Sequence, residues 1–146
     1  LKLILTETGT QWIIERLRVL EFKANLPIFN HFKKDLSLTP TEYFQRQCFI
    51  GASFLPVHEG QQRHKIGVNK IMWGSDYPHL EGTWPNTADA LKTTFLDYPE
   101  DEARAMLGTN ALDVYGFDQS LMESVSERVG PELSAVTGLA EQNGAA

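Results

Sequence analysis

Three short apolar runs, at residues 1–5, 48–54 and 71–73, constrain this chain more than any other feature. Each is bounded by turn residues: Thr6–Gly9 after the first, Pro56 after the second, Gly74 after the third. Such runs read as strands buried on both faces, the kind found in parallel sheets. Helical patterns lie between them. Trp12, Ile13, Ile14, Leu17 and Leu20 recur at helical spacing with charged residues between, predicting an amphipathic helix over 10–23. Thr39-Pro40-Thr41-Glu42 predicts a helix start, with Thr39 as cap, Pro40 in the first turn and Glu42 closing a capping box. Residues 57–66 read as a polar helix that Gly67 ends as a left-handed cap. Further helices are expected over 87–95, from Pro99 to a stop at Gly108, and from 110 to 115 with Thr109 as cap and Gly116 as stop. Strands alternating with helices imply parallel pairing through right-handed crossovers, hence an α/β fold.

Three strands are few. A (β/α)8 barrel needs about 250 residues, and this chain has 146. Three parallel strands alone leave two apolar edges unpaired. Leu1 already lies inside an apolar run. The chain therefore reads as part of something longer, with the missing strands supplied from elsewhere. The irregular stretch 25–38 has no clean period. Residues 119–129 form a candidate helix, and 136–146, small and polar, are expected to fray.

Composition narrows the function classes. A net charge of −6 and a pI near 5.2 disfavour a nucleic-acid or anionic-membrane surface. No apolar run approaches the roughly 18 residues of a membrane span. A single cysteine, Cys48, provides no disulfide framework and fits a reducing, cytoplasmic setting. Chemistry is sought at Asp76, just past the third run. The carboxyl ends of parallel strands are where α/β sites are built. An Asp there can hold a metal or act as a general base; equally, it can make an Asx turn. His79 can bind substrate, donate a proton or bond to backbone. Trp12 can wall a pocket or belong to the core, and Trp84 can line the pocket or pin its loop.

Trp73-Gly-Ser-Asp-Tyr-Pro-His79, followed by Glu81-Gly-Thr-Trp-Pro85, resembles the last strand and loop of the amidohydrolase-related family, which also contains metal-dependent decarboxylases. Leu1 to Gly9 with Trp12 resembles its sixth strand and turn. Tyr43 to Phe49 resembles the lead-in to the seventh, and Gly108-Thr-Asn-Ala111 with Tyr115-Gly-Phe-Asp118 the closing helix. The resemblance covers residues 1–118 and implies the C-terminal part of a (β/α)8 TIM barrel, followed by a tail over 119–146.

The resemblance also implies a site. Asp76 matches the Asp that binds the metal or accepts a proton from metal-bound water. Glu7 stands where the family often has His, and Glu can ligate zinc or manganese. Metal ligation by Asp76 and Glu7 is thus expected, with a small-molecule substrate near His79, Trp12 and Trp84. Three readings stand: a metal-dependent hydrolase, a non-oxidative decarboxylase on the same scaffold, or a truncated chain with an incomplete site. The chain alone, lacking the N-terminal half of the barrel, is expected to be inactive and to self-associate, a homo-oligomer being one outcome.

Overall fold

The computed structural model describes residues 1–138. Its centre is a parallel sheet of β1 (Leu3–Thr6), β2 (Cys48–Ser53) and β3 (Ile71–Gly74), in that order. Leu5 lies opposite Ile50, and Ile50 opposite Ile71. The expected strands and their parallel pairing are therefore present. The sequence places the third strand over 69–73; it starts later, at Ile71, because Val68–Lys70 winds into a 3-10 turn before the extended segment.

Alternation along the strands sets two faces. Leu5, Ile50, Ala52, Ile71 and Trp73 share one, and the helices cover it. There they meet Ile13 of α1 (Gln11–Ala24), Phe44 of α2 (Pro40–Gln47) and Phe95 of α5 (Thr87–Phe95) in one core. Ile4, Phe49, Gly51, Ser53 and Met72 share the other face by the same register. The capping box at Thr39 is formed: Glu42 N–H donates to Thr39 Oγ1 at 3.2 Å, and Thr39 N–H donates to Glu42 Oε2 at 2.8 Å.

Several local expectations need correction. The polar helix splits into α3 (Val57–Gly60) and α4 (Arg63–Ile66). Gly67 has a positive φ of 114°, but its ψ of 117° lies outside the left-handed helical region, so it turns the chain without a helical cap. Gly108 does not end a helix. It lies within a π turn, Ala105–Thr109, that links α6 (Glu100–Arg104) to α7 (Asn110–Tyr115). Thr109 is itself helical and makes no side-chain cap bond. Glycine costs a helix about 1 kcal/mol but does not oblige it to stop. The packing supplies a reason to continue: Met106 enters the core, and Asn110 donates two hydrogen bonds of 2.8 Å to the carbonyls of Val68 and Ile71. Gly116, left-handed at φ 71°, ends the run as expected.

The helix α8 (Gln119–Val129) is present, with Asp118 accepting from Leu121 N–H at 2.7 Å. Fraying from 136 is not what is found. Leu133–Thr137 forms α9, with Val136 and Thr137 buried and the Thr137 carbonyl accepting from Asp97 N–H at 2.9 Å. Leu133 and Val136 are spaced to face the core together, a period too short to register in the sequence. The expectation for 139–146 falls outside the described residues.

Candidate metal-binding site

β3 delivers Gly74 to the carboxyl edge of the sheet, and the chain then folds into a tight loop. His79 N–H donates to the Asp76 carbonyl at 2.9 Å, Gly82 N–H to the His79 carbonyl at 3.1 Å, and Thr83 N–H to the Ser75 carbonyl at 2.9 Å. Asp76 sits at φ 60°, a region that Asp tolerates better than most residues. Gly82 is where the loop closes on itself. A Cβ there would lie 2.8 Å from the Ser75 carbonyl oxygen and 3.0 Å from those of Asp76 and His79, all backbone atoms.

This closure gathers three donor side chains. Asp76, His79 and Glu81 each offer a ligand atom, and these atoms lie within 4.8 Å of one another. Asp76 Oδ2 is 3.5 Å from His79 Nδ1, and Asp76 Oδ1 is 3.4 Å from the Ser53 hydroxyl at the end of β2. The Asp76 side chain is 14% exposed and that of His79 is 55%, so the group is anchored at Asp76 and open on its other side. Two carboxylates and an imidazole form a donor set suited to zinc or manganese. Donors on opposite sides of an ion with bonds of about 2.0–2.2 Å are at most roughly 4.4 Å apart. The spacing here therefore needs little movement to fit a divalent cation.

The expected site residues are distributed unevenly. Asp76 and His79 come together, with His79 beside the carboxylate. Glu81, within the Glu81–Pro85 motif but not itself an expected site residue, completes the group. The signal was the spacing of Asp76, His79 and Glu81 in a loop that Gly82 closes. Glu7 follows β1 at the same edge of the sheet, exposed and at φ 57°, and is not a member of this group. Trp84 packs edge-on against Tyr77, ring centroids 6.0 Å apart, on the same loop. Trp12 instead lines an open groove of about 820 Å³ with Leu17, Phe29, Leu36 and Phe44, between α1, α2 and the irregular stretch.

The turn carrying Glu7 is held from outside. Thr10 N–H, at the start of α1, donates to Oε2 of the buried Glu59 at 2.5 Å. Gly9 sits at φ 63°, and a Cβ there would lie 2.9 Å from Glu59 Oε1. A hydrogen bond to a buried carboxylate contributes about 1.5–3 kcal/mol, so Glu59→Ala should lower the unfolding free energy by that order. Gly9→Ala should cost less in the Glu59→Ala background than in the parent, because part of its clash is with that carboxylate. Denaturant unfolding of the two single variants and the double variant measures this; equal costs in both backgrounds would refute it.

The comparisons with known proteins bear on the family and the fold. Residues 1–117 match the family described as Amidohydrolase. Among solved structures, the chain is similar to the crystal structure of an amidohydrolase from Mycobacterium avium subsp. paratuberculosis K-10, with 26% identity and a TM-score of 0.61. That match covers 82% of this chain and 29% of the other, so the chain spans less than a third of the solved protein. A search of curated proteins finds no match. With the family model matching residues 1–117, most of its length, the chain belongs to the amidohydrolase family.

Proposed function

We propose that this chain supplies the last-strand portion of the active site of a metal-dependent hydrolase acting on a small-molecule substrate. The observation that carries the reading is the convergence of Asp76, His79 and Glu81 at the carboxyl end of β3 in a chain of this family. These three residues would hold the cation. Zinc or manganese bound there would supply Lewis-acid polarisation of an electrophilic carbonyl or phosphoryl group. Asp76, the least exposed member, serves as ligand and as general base, taking the proton from the attacking water at a carboxylate oxygen. The Ser53 hydroxyl orients one of its oxygens and His79 flanks the other. Trp84 and Tyr77 offer apolar surface beside the group for substrate. Glu7, on the same edge, is a further ligand or orienting group once the rest of the barrel is in place.

Isothermal titration of the chain with zinc, comparing the parent with Glu81→Gln, tests the ligand assignment. A single site that the substitution weakens at least tenfold is expected. Unchanged affinity in Glu81→Gln would remove Glu81 from the site.

A further inference from the structure

At the opposite end of the sheet, below the amino ends of the strands, lies a cavity of about 200 Å³. Lys2, Phe49, Asn69, Lys70, Asn110 and Asp113 are among its lining residues. Lys70 is only 5% exposed. Its ammonium lies over the Phe49 ring, 4.5 Å from the centroid. Among the described residues it has no carboxylate partner within ion-pair distance and no side-chain hydrogen bond. A ring face answers the charge only in part and leaves three N–H donors unmatched. The side chain as a whole is enclosed, while Nζ is not among the fully buried atoms and so presents its free donors to the cavity. Burial holds the Lys70 proton affinity below the ordinary lysine range.

The neighbouring groups do not resolve this. Lys2 adds a second ammonium, whose Nζ donates to the carbonyls of Asp113 at 2.7 Å and Val114 at 3.1 Å. The Asn110 amide is already engaged with the Val68 and Ile71 carbonyls. Asp113 brings the one carboxylate of the lining, and it pairs with neither lysine. Cys48 nearby is a thiol that burial pushes up, away from the thiolate.

We propose that this cavity is an oxyanion site, in which Lys70 supplies the charge for a carboxylate or phosphate group. It lies at the end of the strands opposite Asp76 and does not rest on the metal-binding reading. Thermal unfolding of the chain with inorganic phosphate, at constant ionic strength, is the test, with Lys70→Met as the uncharged variant of similar shape. The midpoint of the parent should rise with phosphate, and Lys70→Met should bind phosphate at least tenfold more weakly. If the natural anion is a carboxylate on a second copy of the chain, phosphate will instead reduce the rise of the parent's midpoint with protein concentration, and Lys70→Met will show no such phosphate effect. Equal responses of parent and variant to both titrations would overturn the proposal. Should Lys70→Met fail to fold, nuclear magnetic resonance of the Lys70 side chain in the parent decides. An upward move of its titration midpoint with phosphate supports the site, and no move refutes it.

Discussion

Asp76→Asn, placed in a protein that carries the complete barrel, is expected to reduce turnover by about a thousandfold or more while leaving the fold intact. The change keeps the shape of the side chain, so the left-handed turn at residue 76 survives; Asn tolerates that region as well as Asp does. What it removes is the negative charge next to His79 and Glu81, and with it a proton acceptor. A positioned general base contributes about 10²- to 10⁴-fold, and weakened metal binding adds to that loss. Steady-state kinetics paired with circular dichroism separates this from misfolding. Turnover within tenfold of the parent would show that Asp76 is a structural loop residue.

The second large effect concerns assembly. The isolated chain is expected to run as a dimer or larger species in size-exclusion chromatography and to lack activity. β1 pairs only with β2, and β3 only with β2. Each outer strand therefore has an edge without a strand partner among the described residues, and such edges recruit other strands. Leu3 of β1 is 46% exposed, an apolar residue on an outer strand. In β3 the Asn110 amide already occupies the Ile71 carbonyl, which leaves β1 the more open edge. Leu3→Lys should consequently shift the elution toward monomer, since a charge on an edge strand opposes pairing. A parent that is monomeric at high concentration would show that these residues form a domain of their own.

The sheet was legible because its signal is local. Each strand is a short apolar run bounded by turn residues, although β1 is not buried on both faces as expected: its residues are exposed or half-buried, because it is an outer strand of the sheet. Capping at Thr39 and the stop at Gly116 were legible for the same reason: one residue type satisfies one backbone requirement. Gly108 misled because the same residue type can be carried through a helix when Met106 and Asn110 on either side have packing and hydrogen-bond partners far away in sequence. The burial of Val136 was hidden likewise, since it depends on the other helices of the core.

The site shows the same division. The placement of Asp76 at the carboxyl end of the third strand follows from the strand reading. The placement of Glu81 does not, because its approach to Asp76 is set by loop closure at Gly82 and not by any period. Trp12 was expected near substrate from its nearness in sequence to Glu7. Yet a helix turns about 100° per residue, and its ring lines the groove beside α2.

The central claim is that a divalent cation is held by Asp76, His79 and Glu81. Manganese broadening of amide resonances tests it most directly, because a paramagnetic ion erases the signals nearest to it. Substoichiometric manganese should first erase the amides of residues 75–83 in the parent chain and leave them intact in Asp76→Asn. Broadening that begins elsewhere, or that is the same in both proteins, would contradict the assignment.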